Sequence, residues 1–136
     1  MCGIIGYNGS AKNAKEAIIA GLKNLEYRGY DSAGIALVEN KKVDLYKSQG
    51  KISKLEDSLK DINTNSNIGI GHTRWATHGI PNEINAHPHK VGKVTLVHNG
   101  IIENYAILKN ELISKGVTFK TQTDSEVACA YINYMY

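Results

Sequence analysis

The feature that most constrains the fold is a run of apolar residues at positions 33–38 that is joined to a second, shorter run at positions 43–46. The first run is almost continuously apolar, which favours a buried strand. The dipeptide Asn40-Lys41 lies in the middle of the four residues that separate the runs and is predicted to form the turn between them. Runs joined in this way are typical of a β-hairpin, so the chain is predicted to contain an antiparallel sheet.

Segments with helical spacing alternate with strand-like segments along the rest of the chain. Asn13 and Ser53 are each followed three residues later by Glu, which predicts two capping boxes, each opening an amphipathic helix. A third helix is predicted over residues 105–114, with Gly116 as its end. A fourth helix is predicted to begin near Thr123, with Glu126 completing a further capping pair, and to continue to the end of the chain.

The remaining strand-like segments complete the fold prediction. They lie at positions 4–7, 68–71, 94–97 and 117–120, and the first of them is expected to be buried. Together the elements predict an α+β fold in which helices cover a sheet rich in antiparallel pairs. A length of 136 residues supports one hydrophobic core, so we expect one domain.

Charge and hydropathy exclude two classes of partner. The formal charge of +3 comes from lysines interleaved with acidic residues, so we expect no nucleic-acid groove. No apolar run is long enough to cross a bilayer and no leader segment precedes the first strand, so we expect no membrane partner and a cytoplasmic location. Both cysteines, Cys2 and Cys129, are then expected to be free thiols, with Cys129 in the core.

The five histidines match no metal-binding motif. The closest pair, His87 and His89, flanks Pro88 and has no acidic or thiol ligand nearby, so we expect structural or pocket roles and no metal. The sequence has no glycine-rich phosphate-binding loop, and we expect no cofactor.

Cys2 and the pair Asn99-Gly100 are candidates for reactive chemistry. Removal of Met1 would place a thiol of reference pKa ~8.5 and an amine of reference pKa ~7.7–8.0 on the same residue, so the amine would be able to accept the thiol proton. Asn99 and Gly100 would present an amide and an unhindered N–H at a strand end, as oxyanion donors require. Each has a plainer alternative, since cysteine packs well in cores and Asn-Gly is a strong turn signal.

Six blocks of the sequence carry a resemblance to a known family. In chain order they are MCGIIG, EYRGYDSAG, HTRWATHG, NAHPH, HNGIIEN and TDSE. Together they resemble the glutaminase domain of class II glutamine amidotransferases, and most closely the members that aminate a hexose phosphate. The resemblance implies an N-terminal nucleophile hydrolase fold, an αββα sandwich of two mostly antiparallel sheets. It covers residues 1–136 as the N-terminal portion of a glutaminase domain that continues further in the family, with the synthase and sugar-isomerase domains absent.

The resemblance also implies how the site residues act on L-glutamine. Cys2 would form a γ-glutamyl thioester, with Asn99 and Gly100 as oxyanion donors and Arg28 as support for the Cys2 site. The residues implied in substrate binding are Arg74 for the α-carboxylate, Asp124 for the α-ammonium, Thr77 and His78 as pocket wall, and Trp75 as a lid. From the residues alone, the alternatives are a surface ion-pair role for Arg74 and a helix-capping role for Asp124 or Thr123, and spacing favours the capping role.

The resemblance finally implies a destination for the ammonia. In the family it passes to a synthase domain that converts fructose 6-phosphate to glucosamine 6-phosphate. Two alternatives are a glutaminase that serves another acceptor and a non-catalytic fragment whose pocket is incomplete. Because the family's domain continues beyond this sequence, we expect apolar sheet edges to be exposed, so that copies of the chain associate as homo-oligomers.

Overall fold

The structure is a computed structural model that describes residues 2–75 and 79–136. Within those ranges it contains six strands, four α-helices and one 3₁₀ turn. In chain order these are β1 (Gly3–Asn8), α1 (Ala14–Leu25), the 3₁₀ turn (Glu26–Arg28), β2 (Ser32–Glu39), β3 (Lys42–Gln49), α2 (Ile52–Leu59), β4 (Ile68–Arg74), β5 (His89–Val91), β6 (Val94–Leu96), α3 (Tyr105–Ser114) and α4 (Asp124–Met135).

The larger sheet is built around the predicted hairpin. Its strand order is β1-β4-β2-β3, with every neighbouring pair antiparallel. The hairpin of β2 and β3 is confirmed, with Ser32 opposite Gln49 at one end and Glu39 opposite Lys42 at the other. Asn40 and Lys41 have φ values of 53° and 63°, the left-handed conformation that suits a two-residue hairpin turn.

The expected burial of the first strand is wrong. In the part of the chain that the structure describes, β1 lies at the edge of the larger sheet and pairs with β4 alone. Ile4 is 42% exposed there. An apolar run of four residues predicts a strand but does not say which neighbours cover it, since burial depends on the position of the strand in the sheet.

Strand β2 is covered on both faces. Ala33, Ile35 and Leu37 pack against α1 and α2 in the first hydrophobic core. On the opposite face, a Cβ atom added to Gly34 would collide with the carbonyl oxygen of His87 in the second layer. Small residues on this face therefore allow the second sheet to approach closely, which explains why the strand is almost continuously apolar.

The second layer is the hairpin of β5 and β6, which α4 covers, and α3 packs against α4. Leu112, Val127 and Ala130 form the centre of a second core there. The order of layers is helices, sheet, sheet, helices, which confirms the predicted α+β class and αββα arrangement. Strand β5 was not predicted, because its three residues, His-Lys-Val, include only one apolar residue and so carry no strand pattern.

The strand predicted at positions 117–120 is not formed. The backbone N–H groups of Lys120 and Thr121 donate to the Glu126 carboxylate, so they are not available to a β-ladder. Val117 and Phe119 instead pack their side chains onto the core of α3 and α4. The apolar residues of this segment reflect burial, and not strand pairing.

Of the three predicted capping pairs, one is confirmed in part and two are wrong. The Thr123 hydroxyl accepts the N–H of Glu126 at the start of α4, although the Glu126 carboxylate turns to Lys120 and Thr121. The Asn13 side chain does not cap α1, because its Oδ1 accepts the hydroxyl of Tyr7. Ser53 lies inside α2, which begins one residue earlier.

None of the described helices is both long and apolar enough to pass through a bilayer.

Candidate active site

Cys2 lies where the edge strand β1 meets the end of β4. Because Gly3 pairs with Thr73, the residue before Gly3 lies beside the last residues of β4. The backbone N–H of Trp75 donates to the Cys2 sulfur at 3.1 Å, and the thiol lies 3.4 Å from the Trp75 carbonyl oxygen. The Cys2 side chain is half-buried and held by backbone contacts, as a nucleophile on a rigid element requires.

Two side chains from distant segments hold the Cys2 carbonyl oxygen. Arg28 Nε, from the 3₁₀ turn, donates to it at 3.1 Å. Asn99 Nδ2, from the loop after β6, donates to it at 3.0 Å. Three segments that are far apart in sequence therefore converge on one residue, and three of the predicted site residues lie together.

The backbone at Asn99-Gly100 bends and exposes both residues. Gly100 has a φ of +128°, a conformation that residues with a Cβ atom rarely adopt. The Asn99 amide and the bend at Gly100 therefore lie together on the surface next to Cys2, the placement that oxyanion donors need.

Arg74 is the last residue of β4 and is 3% exposed, so its interpretation as a surface ion-pair residue is wrong. Its guanidinium donates to the carbonyl oxygens of Ile80 at 3.2 Å and Gly79 at 3.4 Å. Burial lowers the pKa of Arg74, while the nearby Asp31, Cys2 and Asp124 raise it. The guanidinium thus supplies positive charge close to the Cys2 thiol.

Asp124 is the first residue of α4 and is 3% exposed. Its Oδ2 accepts the backbone N–H of Ile102 at 2.7 Å. The capping of α4 is performed by Thr123, and the Asp124 carboxylate has a different role, since it holds the loop that follows Gly100 and is near enough to Arg74 to raise its pKa. Asp124 thus links the loop after Asn99 and Gly100 to the surroundings of Arg74.

The other predicted pocket residues are only partly described. The Trp75 ring is 52% exposed and makes an edge-to-face contact with Tyr30, with centroids 6.1 Å apart and an interplanar angle of 82°. Thr77 and His78 lie outside the described residues. Across residues 2–75 and 79–136, no cluster of three or more histidine, cysteine, aspartate or glutamate side chains has the geometry to hold a metal ion.

Three histidines fill the space between the sheets, a feature that the sequence analysis did not resolve beyond a structural role. The rings of His72 and His87 stack with centroids 4.1 Å apart, and the His89 ring lies 4.5 Å from that of His87. All three are buried, and burial is the main cause that lowers each pKa from its ordinary value of 6.5, to about 4 for His72 and to about 3 for His89. The three rings are therefore neutral at pH 7.

His72 also contacts the candidate site directly. Its Nε2 lies 2.8 Å from Asn99 Oδ1 and 3.1 Å from the His98 carbonyl oxygen. The sequence places His72 and Asn99 next to predicted strands, but it does not indicate that those strands meet.

Cys129, as predicted, is a buried free thiol, and it lies against the carbonyl oxygens of His89 and Val94.

Comparison with known proteins gives this arrangement a family. The model of a glutamine amidotransferase domain matches residues 39–135. The chain is 58% identical over 129 residues to the glutamine–fructose-6-phosphate aminotransferase (isomerizing) of Thermococcus kodakarensis, covering 93% of this chain and 21% of that protein. It is 51% identical over 138 residues to the protein of the same name from Fusobacterium nucleatum, covering 100% of this chain and 23% of that protein. The chain thus spans less than a quarter of the length of these curated relatives.

Two solved structures share the architecture. One is the glutamine phosphoribosylpyrophosphate amidotransferase from B. subtilis complexed with ADP and GMP, with a TM-score of 0.82 and 28% identity over 98% of this chain and 29% of that chain. The other is described as the allosteric regulatory enzyme of purine biosynthesis, with a TM-score of 0.83 and 29% identity over the same shares of the two chains. The similarity confirms the predicted N-terminal nucleophile fold.

Proposed function

Because this chain belongs to the glutamine amidotransferase domain family, we propose that it hydrolyses L-glutamine to glutamate and ammonia through a thioester on Cys2. In this proposal residues 1–136 are the N-terminal portion of a glutaminase domain. The observation that carries it is the meeting of the Cys2 thiol, the Asn99 amide and the opposite charges of Arg74 and Asp124 at the junction of β1 and β4.

The first step activates the thiol and attacks the carboxamide. Once Met1 is removed, the α-amine of Cys2 accepts the thiol proton, directly or through one water. The thiolate then forms a bond to the side-chain carbonyl carbon of glutamine, and the displaced electron pair moves to the oxygen. Asn99 Nδ2 carries two hydrogens, of which one serves the Cys2 carbonyl, and the second and the Gly100 N–H stabilise the oxyanion. Each such donor contributes about 2.7–4 kcal/mol.

The following steps release ammonia and restore the enzyme. The proton held by the α-amine passes to the leaving nitrogen as the carbon–nitrogen bond breaks, which leaves a γ-glutamyl thioester and ammonia. A water then attacks the thioester carbon while the α-amine takes one of the water protons. The carbon–sulfur bond breaks, glutamate leaves, and the proton returns to the sulfur.

The charged groups around Cys2 suit the amino-acid end of the substrate. In this proposal Arg74 attracts the α-carboxylate, and Asp124 attracts the α-ammonium, which together separate glutamine from simple amides. Thr77 and His78, which lie outside the described residues, are proposed as further glutamine-binding residues, and Trp75 is proposed to close the site against water. Arg28 orients Cys2 by holding its carbonyl oxygen. We place the reaction in the cytoplasm, where free thiols persist.

The test uses the two cysteines as a matched pair. Glutamine hydrolysis and reaction with a thiol-alkylating glutamine analogue are measured for the native chain, Cys2→Ala and Cys129→Ala, with intact mass recorded for each. Hydrolysis and a single label are expected for the native chain and for Cys129→Ala, and neither for Cys2→Ala. Equal hydrolysis by Cys2→Ala, or a label on Cys129, would remove Cys2 from the mechanism.

We further propose that the ammonia serves the amination of fructose 6-phosphate to glucosamine 6-phosphate. The support is the identity of 51–58% to glutamine–fructose-6-phosphate aminotransferases, against 28–29% to the two solved structures. The test joins this chain to the remaining portion of the Fusobacterium nucleatum relative and supplies glutamine. Formation of glucosamine 6-phosphate above the level given by a Cys2→Ala fusion supports the proposal, and equal formation by both fusions contradicts it.

A further inference from the structure

The Asn99 side chain has two different ends, and its environment distinguishes them. Nδ2 faces the Cys2 carbonyl oxygen at 3.0 Å, and Oδ1 faces His72 Nε2 at 2.8 Å. If the amide were reversed, Oδ1 would face the Cys2 carbonyl, so that two acceptors would be in contact. The amide is thus oriented by a donor on one side and an acceptor on the other.

The contacts of His72 determine which ring nitrogen carries the proton. Both atoms within hydrogen-bond distance of Nε2, Asn99 Oδ1 and the His98 carbonyl oxygen, are acceptors. Nε2 must therefore carry a hydrogen. The other nitrogen, Nδ1, is buried and has no hydrogen-bond partner among residues 2–75 and 79–136, so a second proton there would be unsatisfied. The ring is held as the neutral tautomer with its hydrogen on Nε2.

We propose that His72 is a positioning residue for the proposed glutaminase reaction, orienting the Asn99 amide so that its N–H group, and not its oxygen, faces the Cys2 site. This inference rests on the proposed function for its catalytic consequence. Without the His72 donor, only the Cys2 carbonyl would favour the productive orientation of an amide that is otherwise exposed to solvent. The oxyanion would then often meet an acceptor in place of a donor.

The sheet explains why the donor is rigid. His72 is the fifth residue of β4 and is paired on both sides, with Ile4 of β1 and Gly34 of β2. Its ring is stacked on His87 at an interplanar angle of 14° and is completely buried. Strand β4 thus supplies both His72, which contacts Asn99, and Arg74, which lies near Cys2, so the same backbone positions both residues.

The test compares two substitutions that keep a planar group at position 72. His72→Phe keeps the stacked ring and removes the donor, whereas His72→Gln keeps an N–H group that can reach the Nε2 position. His72→Phe is expected to lower kcat by about 10- to 100-fold with KM for glutamine changed by less than about threefold, as loss of an oriented oxyanion donor requires. The kcat of His72→Gln is expected to be at least about tenfold higher than that of His72→Phe.

A control variant separates positioning from general damage to the core. His87→Phe alters the neighbouring ring of the same stack, whose Nδ1 accepts the His98 backbone N–H but which makes no hydrogen bond to Asn99 in the described part of the chain. Its kcat is expected to stay within about threefold of native, whatever its melting temperature. Equal kcat losses in His72→Phe, His72→Gln and His87→Phe would overturn the proposal.

A measurement that does not depend on activity distinguishes failure of this inference from failure of the proposed function. Nitrogen NMR of the native chain is expected to show the His72 hydrogen on Nε2, and the Asn99 side-chain amide protons are expected to be protected from exchange and close to Cys2. That protection should be lost in His72→Phe and kept in His72→Gln. A hydrogen on Nδ1, or Asn99 protection that is unchanged in His72→Phe, would refute the inference even in a chain that hydrolyses no glutamine.

Discussion

Acidification is expected to destabilise this chain in the range where histidines titrate, because three histidine rings are buried in neutral form between its sheets. Their pKa values in the folded chain lie below the ordinary 6.5, at about 4 for His72 and about 3 for His89, with that of His87 also lowered by burial and by its two neighbours. In the unfolded chain all three titrate near ~6.5. Below that pH the unfolded chain therefore binds protons that the folded chain excludes.

The sign and size of the effect follow from this difference. Stability is fully present above pH ~6.5 and falls as the pH decreases, by about 1.4 kcal/mol per pH unit for each proton that only the unfolded chain binds. Three histidines give a slope approaching about 4 kcal/mol per pH unit near pH 5, and a total loss of about 6 kcal/mol between pH 7.5 and pH 5. For His72 the loss ends near its folded pKa of about 4. Since small domains are stable by about 5–15 kcal/mol, this loss is enough to approach unfolding.

The assay is urea unfolding followed by circular dichroism at steps from pH 7.5 to pH 5, with the free energy of unfolding extrapolated to zero urea. A His89→Phe variant provides the internal comparison, because it is expected to lose about a third of the pH dependence. A change of less than about 2 kcal/mol over the whole range would mean that no more than one histidine is buried in neutral form, and would refute the reasoning.

Three further predictions concern the site and the surface. Gly29→Ala would bring a Cβ atom within 2.7 Å of the Arg74 carbonyl group and 2.9 Å of the Trp75 nitrogen, so we expect a lower melting temperature and loss of glutamine hydrolysis. The control is Gly50→Ala, which has no atom within 4 Å but a φ of +90°, and it should lower the melting temperature alone. Asp124→Asn removes the charge that we propose binds the substrate ammonium, and it should raise KM for glutamine by about 10-fold or more with a smaller effect on kcat. An unchanged KM would exclude Asp124 from binding. Apolar side chains are exposed on α3 and α4, such as Ile107 at 71% and Met135 at 67% exposure, so we expect the chain to self-associate at micromolar concentration. Sedimentation measures this association, and a chain that sediments as a monomer would contradict the expectation.

The parts of the fold that could be predicted from sequence are those with strong local signals. The hairpin of β2 and β3 carries its own turn, and α3 was predicted with the bounds that the structure has, because Gly116 ends it in a left-handed conformation. Signals that depend on distant partners failed. The segment at positions 117–120 is apolar because it covers a helix pair, and Asn13 is used by Tyr7 and not by the helix that it precedes.

In the candidate site, too, some residues could be identified from the sequence, whereas some contacts arise only from the fold. Cys2 and Asn99 were identified from their chemical type and from blocks of sequence typical of the family, and the structure brings them together. The burial of Arg74 and the contact between His72 and Asn99 arise only when β4 is placed against the second layer. Spacing along the chain carries no information about that contact, since the two residues are 27 positions apart.

In the proposed mechanism the α-amine of Cys2 acts as the base for its own thiol. This role is tested by comparing glutamine hydrolysis by two preparations whose intact masses establish their first residue, one beginning with Cys2 and the other retaining Met1. We expect hydrolysis by the first preparation and a rate at least about 100-fold lower for the second, because the amine is then part of a peptide bond and cannot accept a proton. Equal rates in the two preparations would mean that the α-amine is not the base.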